Sequence, residues 1–106
     1  LMGRIISNLI LNGLQSVTND KLATIKVELV AQDTTWLLTI TDNGSGIPEE
    51  IRHKVFLPNF STKYNGSGIG LAVAKRGVEH AGGKIWFETE TNQGTTFFIE
   101  LPKTDE

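Results

Sequence analysis

Cysteine is absent from the 106 residues of this chain, and methionine and tryptophan are scarce. Without cysteine there is no disulfide and no cysteine-ligated zinc or iron–sulfur site. No apolar run approaches the roughly 18 residues that a membrane-spanning helix needs, and we expect no export signal. The missing cysteine fits a reducing compartment. We expect a cytoplasmic location for this domain, with membrane anchoring of the full-length protein through other segments left open.

The chain also lacks a large excess of charge of one sign. It has ten Lys and Arg and twelve Asp and Glu, which gives a net charge of −2. This balance argues against a basic surface that binds nucleic acid, and we expect no contact with a membrane either. The apolar fraction of 39% excludes intrinsic disorder. We predict that residues 1–106 are a single domain cut from a longer protein.

Hydrophobic periodicity predicts the order helix, hairpin, short helix, loop, helix, hairpin. The predicted helices and strands cover residues 2–17, 24–32, 35–42, 68–80, 84–90 and 95–101, with the short helix after Pro48. Such an order favours an α/β two-layer sandwich (α+β), in which a mixed, mainly antiparallel sheet is covered on one face by helices. On this pattern Trp36 faces the core, and Val73 lies on the apolar side of the second long helix.

Two asparagines, Asn8 and Asn12, lie four residues apart in the first predicted helix and share one of its faces. Asparagine is a mediocre helix former, so the pair requires an explanation. An amide oxygen is a neutral, hard ligand that suits Mg²⁺ when phosphates supply the negative charge. A solvated polar stripe is the alternative.

Asp42 falls on the inner side of its strand by the period of two, where an unpartnered carboxylate is costly. Gly44 and Gly46 follow, and they would let a flat ligand with an exocyclic amine approach. A turn-forming aspartate in Asp-Asn-Gly is the alternative. Thr95 also falls on the inner side, where its hydroxyl either meets the same ligand or bonds to the backbone.

Alternating glycines in Gly66-Ser67-Gly68-Ile69-Gly70-Leu71 run directly into the second long helix. Their exposed amides and the helix dipole would favour an anion such as phosphate. The spacing excludes a P-loop, and position 71 is not the glycine of a dinucleotide fingerprint. A flexible loop is the alternative.

Taken in order, Asn-x-x-x-Asn, Asp-x-Gly-x-Gly, Phe-Ser-Thr-Lys, Gly-x-Gly-x-Gly-Leu and Gly-Thr resemble the ATP-binding catalytic domain of sensor histidine kinases. That domain has the Bergerat ATP fold, shared with type II topoisomerases. Residues 55–63, followed closely by the glycine motif, are similar to the short-lidded nitrogen-regulator type. The family's domain normally begins with a strand and a further helix, and we expect both to be truncated in residues 1–106.

The resemblance implies Mg²⁺ and ATP as cofactors, with Asn12 as the metal ligand and Asp42 as the acceptor of the adenine amine. Asn8, where topoisomerases have a catalytic glutamate, and Lys63 are the candidate catalytic residues. Phe60 and its neighbours would form the lid, and Thr95 would hold the base through water. The implied ATP-binding residues are Asn8, Asn12, Asp42, Gly44, Gly46, Ile47, Phe60, Thr62, Lys63, Gly66, Ser67, Gly68, Ile69, Gly70, Leu71 and Thr95.

Two departures from the family pattern bear on function. Gly13 replaces the usual alanine and is expected to weaken the helix by about 1 kcal/mol without touching the chemistry. We expect the phosphoacceptor histidine to be absent from these residues, because neither His53 nor His80 lies in a sequence like that of the family's dimerisation helix. Both are expected to be surface residues.

The expected partners are therefore a separate dimerisation domain of the same kinase, which carries that histidine, and a downstream response regulator. A non-catalytic ATP-binding regulatory module and a serine kinase of the anti-sigma type remain as alternatives.

Overall fold

The computed structural model describes residues 2–15, 17, 22–57 and 68–103. Two α-helices, one 3₁₀ helix and four strands make up this part of the chain. Their bounds are α1 Met2–Gln15, β1 Ile25–Ala31, β2 Thr35–Asp42, the 3₁₀ helix Glu49–Lys54, α2 Gly68–His80, β3 Lys84–Glu90 and β4 Gly94–Pro102. The predicted order of helices and strands is confirmed, and the bounds of β2, α2 and β3 agree to the residue. Most of the predicted loop before α2 lies outside the described residues.

The four strands form one sheet in the order β1-β2-β4-β3, and each of its three pairings is antiparallel. No parallel pair occurs among the described strands, so this part of the sheet is antiparallel rather than mixed. Both α-helices pack on the same face, which we call the inner face of the sheet. The predicted two-layer arrangement is therefore confirmed.

A single apolar cluster joins the helices to the inner face of the sheet. Ile5 and Leu9 of α1 and Val78 of α2 are almost fully buried, as is Ile99 of β4. Each buried aliphatic side chain of this size contributes about 1.5 to 3 kcal/mol through burial. This cluster fixes how α1 lies on the sheet, and α1 carries the two asparagines.

The end of α2 follows the glycine signal in the sequence. Gly82 has a φ of 82°, and its amide donates to the Glu79 carbonyl at 2.9 Å. The Gly83 amide reaches back to the Val78 carbonyl at 2.9 Å. These are the two bonds of a Schellman cap, which satisfies the last carbonyls of a helix.

Two expectations about burial, those for Val73 and Trp36, are wrong. Val73 is 40% exposed, because Leu71, Ala74 and Val78 make the buried side of α2 instead. Trp36 is 41% exposed, and its ring lies 5.0 Å from Lys103 Nζ near the far end of β2. From Lys26 onward β1 is exposed on both faces, since it is an edge strand that α1 hardly touches.

Within the described residues, neither helix has the length and apolar character needed to cross a membrane.

Candidate functional site: a polar row beneath the first helix

One row of the inner face is polar where the rest is apolar. Antiparallel register places Asp42 beside Thr95, and Thr95 beside Thr89. Asp42 is 8% exposed and Thr95 is 5% exposed, and among the described residues they are the buried polar side chains. Both inward placements predicted from the period of two are confirmed.

The Asp42 carboxylate is compensated by backbone donors. Its Oδ1 accepts from the Gly44 amide at 2.8 Å and from the Thr95 amide at 3.3 Å. The bond from the Gly44 amide closes the local turn that Asp-Asn-Gly favours. Asp42 therefore forms this turn and is also buried on the inner face. These bonds hold the carboxylate on the inner face and fix its direction.

Gly13 lies against Asp42, a contact that helix propensity alone does not reveal. A Cβ at position 13 would lie 3.1 Å from Asp42 Cβ, 3.4 Å from Asp42 Oδ2 and 2.9 Å from Ile25 Cδ1. The absence of a side chain therefore lets the backbone of α1 approach the carboxylate closely.

Asn8 and Asn12 are half-buried residues of α1, in the same stretch of helix as Gly13. Asn12 Nδ2 is buried and has no hydrogen-bond partner among the described residues. An orphaned buried donor is uncommon in native structures. A half-turn of this amide would place its oxygen there instead, because the two atoms differ little in shape. The position therefore fits either a donor to phosphate or an oxygen ligand of Mg²⁺.

Thr89 and Arg52 are functional candidates that the sequence reasoning missed. The Ile47 amide donates to Thr89 Oγ1 at 2.9 Å, and Arg52 Nε donates to the Ile47 carbonyl at 2.9 Å. Ile47 is thereby held from both sides. The alternation of Ile85, Phe87 and Thr89 could have placed Thr89 on the inner face, but the contact of Arg52 has no signal in the sequence.

The backbone at position 46 requires glycine whether or not a ligand binds. Its φ is 81°, and a Cβ would lie 2.6 Å from the Glu90 carbonyl oxygen. Positive φ and close backbone approach both favour glycine. The loop that contains Gly46 and Ile47 is thus packed against the end of β3.

The glycine motif and the lid are described only in part. Gly68, Ile69 and Gly70 form the first turn of α2, so the prediction that these glycines run into a helix is confirmed. Leu71 is 2% exposed and packs in the core. The remaining predicted site residues, Phe60, Thr62, Lys63, Gly66 and Ser67, lie outside the described residues.

The described part of the chain offers few other side chains that could act in catalysis or bind a metal ion. His53 and His80 are exposed, as predicted. No group of three or more His, Asp or Glu side chains there could hold a metal ion.

The fold is that of histidine kinase catalytic domains. A nucleotide-free structure of the catalytic domain of histidine kinase ThkA superimposes with a TM-score of 0.83 and 34% identity, over 97% of this chain and 66% of that one. The mycobacterial sensor histidine kinase MprB gives a TM-score of 0.80 and 32% identity, over 95% and 71% of the two chains.

Family membership follows from the sequence. The model of the histidine kinase-, DNA gyrase B- and HSP90-like ATPases matches residues 1–105, and the chain belongs to this family of ATP-binding domains. It is 45% identical over 102 residues to a probable C4-dicarboxylate sensor kinase of Halalkalibacterium halodurans. It is 39% identical over 99 residues to sporulation kinase D of Bacillus subtilis. In both comparisons 93% of this chain matches and 19% of the relative, so the chain spans about a fifth of each kinase.

Proposed function

We propose that this chain binds Mg-ATP beneath α1 and presents the γ-phosphate to a histidine on a separate dimerisation domain of a sensor histidine kinase. The observation that carries the proposal is the polar row of the inner face, where the buried Asp42 lies beside Thr95. Its place in two-component signalling, with a response regulator downstream, and a cytoplasmic location are parts of the same proposal.

Asp42 and Thr95 are the residues that would receive the base. The carboxylate is an acceptor and cannot donate, so it suits the exocyclic amine of adenine. Its direction is set by the Gly44 and Thr95 amides before any ligand arrives. Gly44, Gly46 and Ile47 would form the adjoining wall of the pocket.

Asn12 would hold the metal. Among the described residues its buried amide nitrogen has no hydrogen-bond partner, and a half-turn would put the oxygen in its place. One neutral oxygen from the protein is a sufficient contribution, because Mg²⁺ in nucleotide sites takes most of its ligands from phosphates and water. When bound, Mg²⁺ would neutralise charge on the triphosphate.

Asn8 bears on the type of reaction. A neutral amide at this position cannot take a proton from water as a carboxylate can. We therefore propose transfer to a protein acceptor rather than rapid hydrolysis of ATP. Lys63, Phe60, Thr62 and the glycines of residues 66–70 would close over the phosphates.

The test is nucleotide affinity with and without Mg²⁺, measured by calorimetry on the chain and on Asn12→Ala. We expect the variant to lose Mg²⁺-dependent affinity and to keep metal-free affinity. Gln15→Ala is the matched control, since it truncates an exposed amide at the end of the same helix. Equal losses with and without metal would contradict the ligand role of Asn12.

A second measurement tests the kinase reaction. The chain, a dimerisation domain with its acceptor histidine and labelled ATP are mixed, and phosphate on the histidine is followed. Transfer is expected only with the histidine present. Tight ATP binding without transfer would contradict the kinase proposal and support a regulatory module.

A further inference from the structure

Thr89 lies at the end of the polar row, and its hydroxyl makes three polar contacts. Its Oγ1 is 2.9 Å from the Ile47 amide nitrogen, 3.2 Å from the Gly94 carbonyl oxygen and 2.8 Å from Thr95 Oγ1. A threonine hydroxyl has one proton to donate and two lone pairs to accept with. The three contacts therefore use all of its capacity.

The direction of each bond follows from its partners. The Ile47 amide can only donate, and the Gly94 carbonyl can only accept. Thr89 must therefore give its single proton to Gly94 if all three contacts are hydrogen bonds. The remaining contact then requires the Thr95 hydroxyl to donate to Thr89. One arrangement of protons satisfies the whole group.

This arrangement fixes what Thr95 can offer to a ligand. Its proton is directed to Thr89, along the sheet, so its oxygen can only accept from a neighbour on the inner face. Asp42 beside it is also an acceptor. Asp42 and Thr95 together then present acceptors and no side-chain proton to the base.

We infer that Thr89 is a positioning residue that orients the Thr95 hydroxyl as an acceptor and so contributes to selection of adenine over guanine. The inference rests on the proposed function, because it assigns the base to Asp42 and Thr95. Adenine carries an amine donor at the position where guanine carries the O6 acceptor. Two acceptors in the pocket attract the amine, directly or through a water, and repel O6.

The experiment compares Thr89→Val and Thr89→Ser with the unmodified chain, by titration with ATP and with GTP in the presence of Mg²⁺. Valine keeps the shape of threonine and removes the hydroxyl, which releases the Thr95 proton. We expect ATP to bind more weakly and GTP more tightly, so that the ratio of the two affinities falls about five- to tenfold, the effect of one neutral hydrogen bond. Thr89→Ser should retain the original ratio.

Thr41→Val is the matched control. Thr41 pairs with Thr96 through hydroxyls 3.0 Å apart, one residue along the same strands and on the opposite face of the sheet. Its loss removes a similar hydrogen bond but leaves the polar row intact. We expect its ATP and GTP affinities to match those of the unmodified chain.

A gain in GTP affinity is the result that a merely structural role cannot give, since damage to the pocket weakens both nucleotides. If Thr89→Val weakens the binding of ATP and GTP equally, so that the ratio of their affinities is unchanged, the inference is overturned. The proposed function stands in that case if the unmodified chain still prefers ATP. Failure of the unmodified chain to bind ATP overturns both. If Thr89→Val does not fold, Thr89→Ala and Thr89→Ser are compared, and equal ratios for these two variants overturn the inference.

Discussion

Replacement of Gly46 by alanine should destabilise the chain more than the same replacement at Gly82. The two residues have almost the same positive φ, 81° and 82°. Their surroundings differ. A Cβ at position 46 would lie 2.6 Å from the Glu90 carbonyl oxygen and 3.0 Å from its carbon, whereas at position 82 the nearest atom is Pro102 Cγ at 3.5 Å.

The magnitude separates into a conformational and a steric part. Alanine in the left-handed region costs about 1 to 2 kcal/mol, and this part is common to both variants. At position 46 the backbone of β3 must also move, at a further cost of about 1 to 3 kcal/mol for overpacking. We therefore expect a loss of about 1 to 2 kcal/mol for Gly82→Ala and about 2 to 5 kcal/mol for Gly46→Ala.

Urea unfolding measures both losses under the same conditions, and an unchanged m-value shows that the unfolding transitions are comparable. The effect of alanine on the unfolded chain is the same at both positions and cancels in the difference. Equal losses of stability would refute the steric argument. Displacement of the Ile47 amide from Thr89 should also reduce ATP affinity in Gly46→Ala alone.

Two further substitutions test the polar row. Asp42→Asn keeps an oxygen that can accept from the Gly44 and Thr95 amides but adds a donor. Most of the preference for ATP over GTP should therefore be lost in paired titrations. An unchanged preference would show that the base lies elsewhere. Gly13→Ala should change the free energy of unfolding by less than about 1 kcal/mol, because helix propensity offsets crowding of Asp42, while ATP affinity falls. Gly3→Ala, with nothing within 4 Å of its Cβ, is the control and should leave affinity unchanged.

The sequence predicted the parts of the fold that depend on local periodicity. Alternation in β2 and β4 placed Asp42 and Thr95 on the inner face, and the glycines after His80 marked the end of α2. These features follow from side-chain direction and backbone conformation, which neighbouring residues largely determine.

Burial at the margins of the sheet was not predictable in the same way. Val27 and Leu29 alternate like core residues, yet they are 47% and 63% exposed. Alternation states which face a side chain occupies, but whether a helix covers that face depends on how α1 packs. For the same reason Trp36 is exposed although Leu38, two residues later, is buried.

Contacts between segments that are distant in the chain were also not predictable from the sequence. At Gly13 the sequence offers only helix propensity, because nothing local indicates that Asp42 approaches within van der Waals distance. The bond from Arg52 to the Ile47 carbonyl depends on the path of the chain into the 3₁₀ helix. Such contacts arise from packing rather than from periodicity.

The double attachment of Ile47 has a thermodynamic consequence. Its amide and its carbonyl are both bonded to side chains, from Thr89 and from Arg52, without a ligand. A wall that is already rigid loses little conformational entropy when a nucleotide arrives, so this side of the cleft is pre-organised. Discrimination between nucleotides at this wall should then reflect the hydrogen-bonding groups of the base, with little opportunity for the protein to reshape itself around a poor fit.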